Sequence, residues 1–419
     1  MKFVLETVTK CSGRTGTING IDKLSNVKLQ TPGLILHTKG GSVPYLSKDV
    51  FKYTKNNSQF MQYSLTNTEH MQDAIHVYGE GISGFTGQKD SMSLLILRDP
   101  SELCQTTFHE KDLMPIYGRS GKKNFNSEQY MELVEAFKPA IYVPLYDGDT
   151  DGHSSKKREQ KSVDRTEKFV EHCLKLHRKS EVLKNSTIIG PIVGGYNMHL
   201  REQSIKFLSQ FEKDLGGYLI AGIHSNGSSA TEINASSVQQ ITSSICQSLP
   251  QEKVRFAFGA FSPNVLLQLV SSGVDVFDTS YAYLKTQQNR ALNFSYDTDE
   301  IEVENREMEL DMKDSRWAED FTGFVSSCHC LACKQHTKAY SHHLYNTREL
   351  LSSILLMIHN LHHYFEFFNA IRKHVETDTI PKLVDHLNKQ RECPIEQNVV
   401  VQTNDGDNNS KEMSKKVRL

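Results

Sequence analysis

Three cysteines near the end of the chain are the residues whose type and spacing most clearly allow specific chemistry. Cys328, Cys330 and Cys333 fall within six positions, whereas the other cysteines stand alone. Thiolates at this spacing can wrap one side of a tetrahedral metal ion, and a fourth ligand must then come from another segment. The cluster therefore indicates a structural metal site. Zinc is favoured over a redox centre because the sequence shows no electron-transfer partner.

Histidines supply the candidates for the fourth ligand. His359, His362 and His363 lie on a predicted apolar helix at 349–371, and their spacing of three and four residues places them on one helix face. A lone histidine on such a helix is more often a packed core residue than a ligand. Three nearby cysteines reverse that expectation, but spacing alone leaves all three histidines open.

Short apolar runs alternate with amphipathic segments between about residues 29 and 280, which predicts how the chain positions these groups. The predicted strands are 33–37, 93–97, 141–145, 187–193, 218–223, 255–261 and 274–278. The predicted helices are 126–137, 163–177, 197–212, 230–247 and 263–271. Because the strands do not alternate polar with apolar residues, they indicate a parallel sheet buried on both faces. Their number favours a closed (β/α)8 TIM-type barrel over an open doubly wound sheet.

Composition narrows the functional classes. With 419 residues, of which 37% are hydrophobic, the chain can bury a large core without disulfides. Its 48 Lys and Arg against 50 Asp and Glu give a net charge of −2, so bulk charge does not attract polyanions. Neither the start of the chain nor any internal apolar run is long enough for a signal peptide or a membrane span. We expect a soluble, cytoplasmic protein.

Any contact with nucleic acid would then need a local patch or a partner protein. Lys156, Lys157 and Arg158 begin the most basic local cluster of the chain, and they could meet phosphates at the rim of the barrel. A solvated helix start is the commoner explanation for such a run.

The cysteine cluster resembles the zinc element of the tRNA-guanine transglycosylase family, which has the form Cys-X-Cys-X-X-Cys followed by a helix containing His-Asn-Leu. Here that helix carries His359-Asn360-Leu361. Further matches are Thr31-Pro32-Gly33, Ser162-Val163-Asp164-Arg165-Thr166, Gly194-Gly195 and Gly273-Val274-Asp275-Val276-Phe277-Asp278.

The resemblance implies a (β/α)8 barrel unit over 1–392, with a zinc subdomain inserted at about 318–375 near the C-terminus. It also implies that Cys328, Cys330, Cys333 and His359 hold one Zn²⁺ ion. The segment 393–419 lacks periodic apolar residues, and we expect it to be a disordered polar tail.

Members of this family exchange a guanine at the wobble position of tRNA for a deazaguanine such as queuine. The resemblance places Asp278 at the position of the nucleophile and Asp147 at that of the purine-binding carboxylate. Other family groups are replaced: the segment Leu97-Arg98-Asp99-Pro100-Ser101 stands for a flexible Asp-Ser-Gly-Gly-Phe-Gln loop, Val193 for a glutamine, Ala221-Gly222-Ile223 for Gly-Gly-Leu, and Tyr281-Ala282-Tyr283 for Pro-Thr-Arg.

With these replacements the chain resembles a eukaryotic branch of the family that keeps the fold and the zinc but has lost the active site. The leading hypothesis is a non-catalytic subunit that forms a heterodimer with a catalytic queuine tRNA-ribosyltransferase subunit and contacts tRNA through that complex. It would support the exchange of guanine for queuine at the wobble position of tRNAs with GUN anticodons, those for Asp, Asn, His and Tyr. Asp278 and Asp147 would then be leftover acids, and no catalytic residue is expected.

Two alternatives remain open at this stage. One is an active transglycosylase that uses Asp278 as its nucleophile, and the other is a zinc-stabilised RNA-binding module with no enzymatic role. Zinc-subdomain helices form the dimer interface in the family, so the aromatic run Tyr364, Phe365, Phe367 and Phe368 is either an interface surface or core packing. For localisation, a peripheral position on the mitochondrial outer membrane is the alternative to the cytoplasm.

Overall fold

The computed structural model describes residues 1–20, 24–54, 59–104, 110, 112–300, 303–304 and 306–391. The tail at 393–419, expected from composition to be disordered, lies outside the described residues. No helix within the described ranges is long and apolar enough to cross a membrane.

Fifteen strands make up the described sheets. An antiparallel sheet is formed by β1 (Lys2–Val8), β2 (Arg14–Asn19) and β3 (Lys28–Thr31). The barrel strands are β4 (Gly33–His37), β5 (Phe60–Ser64), β6 (Met92–Ile96), β9 (Ile141–Tyr142), β10 (Thr187–Ile192), β11 (Leu215–Ile220), β12 (Val254–Phe256) and β13 (Val276–Asp278). Two hairpins complete the set, β7 (Met114–Gly118) with β8 (Gly121–Phe125) and β14 (Arg290–Leu292) with β15 (Glu309–Asp311).

The helices fill the connections between strands and the C-terminal layer. They are α1 (Lys48–Phe51), α2 (Leu65–Thr68), α3 (Gln72–Tyr78), α4 (Gly81–Phe85), α5 (Ser127–Phe137), α6 (Lys156–His177), α7 (Met198–Ser209), α8 (Ala235–Gln247), α9 (Pro263–Ser271), α10 (Ser280–Gln287), α11 (Leu331–Gln335), α12 (Lys338–Asn346), α13 (Leu350–Glu376) and α14 (Ile380–Asn388). Short 3-10 helices lie at Lys52–Thr54, Glu69–Met71, Gly227–Ala230 and Ser315–Trp317.

The eight barrel strands are parallel and follow chain order around a closed ring, with β13 pairing back onto β4. This arrangement confirms the predicted (β/α)8 barrel. All seven predicted strands are present, with ends shifted by a few residues, but the eighth, β5, was missed. Its sequence Phe-Met-Gln-Tyr-Ser is buried along its whole length although it includes Gln62 and Ser64, so it lacks the uninterrupted apolar run of a central strand.

Helix boundaries differ from the predicted ones where polar residues form the first turn of the helix. Helix α6 begins at Lys156 rather than at 163, because the Ser155 side chain caps it by accepting a hydrogen bond from the backbone N–H of Arg158. Helix α8 begins at Ala235 rather than at 230, and a separate 3-10 turn, Gly227–Ala230, precedes it. The α6 boundary matters for function because it places the basic cluster on the first turn of that helix.

A buried ion pair closes the N-terminal end of the barrel. The Arg14 guanidinium of β2 donates to both carboxylate oxygens of Asp275, at 2.7 and 2.6 Å, and both side chains are fully buried. Asp275 also accepts a hydrogen bond from the backbone N–H of Arg255 at 2.7 Å. The pair thereby ties the antiparallel sheet to the last barrel strands, leaving the opposite end, where the parallel strands terminate, to form the barrel mouth.

The longest helix, α13, joins the C-terminal layer to the barrel. Its Phe368 ring contacts the Phe277 ring of β13 at 5.8 Å between centroids. Tyr364, Phe367 and Phe368 are at most 1% exposed, so these three aromatic residues pack in the core and an interface role for them is wrong. Phe365 alone of that run is partly exposed.

Candidate metal centre and barrel mouth

The three cysteines and one of the candidate histidines converge on a single point. The Nδ1 atom of His359 lies 3.7 Å from the Sγ atom of Cys328, 3.6 Å from that of Cys330 and 3.2 Å from that of Cys333. A tetrahedral ion at the usual zinc bond lengths would set each sulfur-to-nitrogen distance at about 3.5 Å. The four side chains therefore fit a tetrahedral Cys3His site and could hold a metal ion.

Local sequence features shape the cysteine loop. Cys330 caps helix α11, and its sulfur accepts a hydrogen bond from the backbone N–H of Cys333 at 3.3 Å. Gly323 passes directly beside this turn, because a Cβ atom there would lie 2.7 Å from the carbonyl oxygen of Cys333. A side chain at residue 323 would push the loop away from the histidine.

The orientation of His359 is fixed from its far side. Its Nε2–H donates to the carbonyl oxygen of Leu292 at 2.8 Å, which leaves the lone pair of Nδ1 directed at the three sulfurs. The neighbouring Asn360 side chain accepts from the backbone N–H of Leu292 and donates to the carbonyl of Arg290. Strand β14 thus holds the ligand-bearing turn of α13 in one position.

The other two candidate histidines have different environments. His363 packs edge-on against Phe294 at 4.6 Å, and burial lowers its pKa to about 3. His362 lies near the Cys328 thiol, which raises its pKa, but its Nδ1 faces the carbonyl of Thr54 at 3.4 Å. Neither joins the four-atom cluster, so the structure selects His359 from the three histidines that spacing left open.

The electrostatics of the cluster favour a positive charge where the ligands meet. Burial alone lowers the pKa of His359, but its contacts with Cys328 and Cys333 outweigh burial and raise it to about 10. The pKa of the Cys328 thiol is lowered by hydrogen bonds from Cys330 and Cys333. Such a site suits a cation with four closed ligands, which has a structural rather than a catalytic role.

At the barrel mouth, Asp278 is held by the backbone of its own rim. Its carboxylate is 1% exposed and accepts hydrogen bonds from the backbone N–H groups of Gly259, at 3.0 Å, and Ser280, at 2.7 Å. Burial raises the pKa of this acid above its ordinary value. Asp278, which the resemblance places at the nucleophile position, therefore satisfies two loop amides.

Asp147 is enclosed by two arginines of helix α6. The guanidinium of Arg158 donates to both carboxylate oxygens, at 2.5 and 3.0 Å, and Nε of Arg165 lies 3.2 Å from Oδ2. Asp147 is fully buried. One predicted phosphate-binding residue, Arg158, thus faces the predicted purine-binding acid, whereas Lys156 and Lys157 remain exposed.

Asp99, in the segment that replaces the family's Asp-Ser-Gly-Gly-Phe-Gln loop, is a third engaged acid at the mouth. Asp99 accepts hydrogen bonds from the Asn67 side chain and from Ser101, and it lies 3.6 Å from His37 Nε2 and 3.7 Å from Lys39 Nζ. Burial raises the pKa of Asp99, but His37, Lys39 and the Ser101 bonds together lower it below the ordinary value. Lys39 also pairs with Glu102.

The cavity among the ends of β6, β9, β11 and β12 is small because an ion pair lies in it. The Arg98 guanidinium donates to Asp149 at 2.7 Å, and the Cys104 thiol contacts the other oxygen of Asp149 at 3.5 Å. About 50 Å³ remains among these groups, compared with the roughly 300–1,000 Å³ typical of small-molecule pockets. Burial also raises the pKa of Cys104 to about 12, which favours the protonated thiol over the nucleophilic thiolate.

Sequence reasoning missed the mouth ion pairs. The segment that contains Arg98 was noted only because it replaces a family loop. Asp149 and Lys39 belong to no recognised motif. The pairs join residues 51 and 63 positions apart, and no local pattern indicates which loops meet at the mouth. The available signal was the location of Arg98 and Lys39 directly after predicted barrel strands, where mouth residues lie.

Comparison with known proteins identifies the family of this chain. The family model described as queuine tRNA-ribosyltransferase matches residues 10–393, so the chain belongs to that family of tRNA-guanine transglycosylase barrels. Among curated relatives, a protein of Aedes aegypti is 63% identical over 395 residues, covering 94% of each chain. One of Culex quinquefasciatus is 62% identical over 402 residues, covering 96% of this chain and 94% of its own. One of Drosophila melanogaster is 43% identical over 396 residues, covering 93% of each. All three are called queuine tRNA-ribosyltransferase accessory subunit 2, and the family predicted from sequence is confirmed.

The metal centre makes a direct prediction. Purified protein should carry about one metal ion per chain by elemental analysis, and Cys330→Ser should lose most of it because the site would keep only three strong ligands. A structural ion of this kind contributes on the order of 10 kcal/mol to folding, so thermal stability should fall sharply as well. Cys11→Ser, which alters a cysteine outside the cluster, is the control. Full metal retention by Cys330→Ser would contradict the assignment.

Proposed function

We propose that this chain is the non-catalytic subunit of a heterodimeric queuine tRNA-ribosyltransferase. In that complex it supports the exchange of guanine for queuine at the wobble position of tRNAs with GUN anticodons, and a catalytic paralogue carries out the reaction. The names of the relatives support this assignment. The observation that carries it is the barrel mouth, where the chain's own ion pair leaves about 50 Å³.

The exchange reaction needs groups that this mouth does not leave free. A carboxylate must attack C1′ of the ribose and hold the sugar while one base leaves and another enters, which requires space for a purine and an acid/base group. Asp147 forms ion pairs with two arginines, and Asp99 is engaged by neutral and cationic side chains from the mouth loops. An active transglycosylase that uses Asp278, the first alternative, is therefore not favoured.

The metal identity follows from the donor set. Three thiolates and one imidazole at tetrahedral distances are the ligands that Zn²⁺ prefers in structural sites. We assign one structural Zn²⁺ ion to Cys328, Cys330, Cys333 and His359. The predicted boundaries of the zinc subdomain, about 318–375, stay a proposal, as does a cytoplasmic location, which accords with the unpaired cysteines of the described residues.

The partner surface is best supported on the metal-bearing segment. Phe321 is 76% exposed and Leu350 66% exposed, and Tyr340 stacks on His336 while remaining 40% exposed. Large apolar side chains at such exposure are typical of protein interfaces. We therefore place the contact with the catalytic subunit on the surface formed by these residues.

Tyr340→Glu should weaken association with the catalytic subunit at least about tenfold, because an aromatic anchor is replaced by a charge that must be desolvated. Sedimentation or titration calorimetry with the purified partner measures the affinity. Val182→Glu is the control, since Val182 is 50% exposed but lies in the connection between α6 and β10, outside the metal-bearing segment. Equal affinity for both variants would place the interface elsewhere.

Exchange assays separate the catalytic from the accessory role. Labelled guanine should be exchanged into tRNA by the complex but not by this chain alone. Asp278→Asn in this chain should leave the activity of the complex nearly unchanged while lowering stability, because an amide accepts fewer backbone bonds than the carboxylate. The exposed Asp164→Asn serves as the control. Loss of exchange in the Asp278 variant, with the complex still assembled, would establish the active-enzyme alternative. If this chain binds tRNA tightly but contributes nothing to the exchange reaction, the remaining alternative is the zinc-stabilised RNA-binding module.

A tRNA contact is proposed at the start of helix α6. Lys156 and Lys157 are exposed on its first turn, at the mouth end of the barrel, although Arg158 beside them is engaged by Asp147. Lys156→Glu combined with Lys157→Glu should weaken tRNA binding by the complex several-fold, because two phosphate contacts become repulsive. Filter binding with the complex measures the effect, and unchanged affinity would remove this patch from the RNA interface.

A further inference from the structure

The hairpin formed by β7 and β8 projects two exposed cations beside the barrel mouth. Its turn consists of Arg119 and Ser120 between the paired Gly118 and Gly121, and Lys122 follows on β8. Arg119 and Lys122 are exposed, and within the described residues no acid lies within ion-pair distance of either. Neither residue belongs to the mouth or metal groups described above.

Contacts with two loops place this hairpin on the mouth face. Lys123 Nζ donates to Glu69, the buried acid that follows β5 and α2, at 2.6 Å. A Cβ atom on Gly40, which follows β4, would lie 3.9 Å from Nη2 of Arg119. The turn therefore lies over the loops after β4 and β5, where the parallel strands terminate.

The surrounding acids do not neutralise the tip. Glu69 is occupied by Lys123, and Glu102 by Lys39. Glu110 and Asp112 lie at the base of the hairpin, before β7 begins. The five residues of β7 separate base from tip by roughly 15 Å, which exceeds the Debye length of about 8 Å at physiological ionic strength.

The chemistry of the tip selects the kind of partner. The exposed side chains at the turn are a guanidinium, a hydroxyl and an ammonium, with no apolar residue among them, so a contact here gains little from apolar burial. Paired strands on both sides hold the backbone of the turn in place, and the left-handed conformation of Gly121, with φ of +94°, completes the turn. Two exposed cations on such a turn, with polar neighbours, suit a phosphodiester backbone.

We propose that Arg119 and Lys122 contact the phosphate backbone of the tRNA, so that the RNA-facing surface of this subunit includes the β7–β8 hairpin as well as the start of α6. This inference rests on the proposed function. The hairpin positions RNA and carries no sequence readout, since its side chains meet phosphates rather than base edges.

The test is the salt dependence of tRNA binding by the complex with the catalytic subunit. The double variant Arg119→Gln and Lys122→Gln should reduce the slope of log affinity against log salt by about 1.4–1.8, because each lost phosphate contact removes about 0.7–0.9. Two contacts with these slopes correspond to a roughly 25- to 60-fold change in affinity between 0.1 M and 1 M salt. The variants should therefore differ at low salt and converge at high salt.

The control is Lys179→Gln with Lys213→Gln, which makes the same charge change at exposed positions in the connections at the opposite end of the barrel. If the hairpin variant and the control variant both keep the wild-type slope of log affinity against log salt, the proposal is overturned and the proposed accessory function is unaffected. Weaker binding of the hairpin variant to the catalytic subunit, with an unchanged tRNA slope, would also overturn it, because the tip would then be a protein contact. Failure of the wild-type complex to bind tRNA would instead reject the proposed function.

Discussion

The metal centre and the barrel depend on one set of hydrogen bonds between helix α13 and strand β14. His359 and Asn360 both bond to the backbone of Leu292, and Asn360 also reaches the carbonyl of Arg290. A helix placed by apolar packing alone could rotate slightly, since that packing is not directional. These bonds fix its rotation, direct Nδ1 of the histidine toward the cysteine loop, and hold the helix against β13 through Phe368 and Phe277. The cysteine loop has a site to fold onto because this helix cannot turn.

Features that depend on residues close together in the chain were predictable from the sequence, whereas features that depend on distant residues were not. Cys328, Cys330 and Cys333 are visible because one short loop supplies all three ligands. The choice of His359 over His362 and His363 was not accessible, since it depends on the carbonyl of Leu292 and the ring of Phe294, both more than 60 residues away in the chain. The strands were largely predictable because buried parallel strands are apolar runs, and β5 was missed where such a run contains Gln62.

The barrel mouth was the least predictable part of the site. Family resemblance gave the positions of Asp147 and Asp278 but not their partners. The pairing of Asp147 with Arg158 arises because α6 begins at Lys156 and places Arg158 on its first turn, and polar first turns are difficult to separate from loop sequence. Sequence left Tyr364, Phe367 and Phe368 open between interface and core for a related reason, because the elements that cover them are distant in the chain. A helix that is apolar on most sides belongs to the interior, and here its side chains are covered by β13, α10 and the loop that carries Phe294.

The hydrogen bonds to Asp278 affect how such a protein can evolve. Two backbone N–H groups on neighbouring rim loops use this carboxylate as their acceptor, and a buried donor left without a partner costs about 1–3 kcal/mol. Mutations that abolish a reaction can therefore accumulate around such an acid while the acid itself is retained by the folding requirement of the loops. An aspartate at the nucleophile position is then a poor marker of retained enzymatic activity, and the bonds it makes at the rim are more informative than its presence.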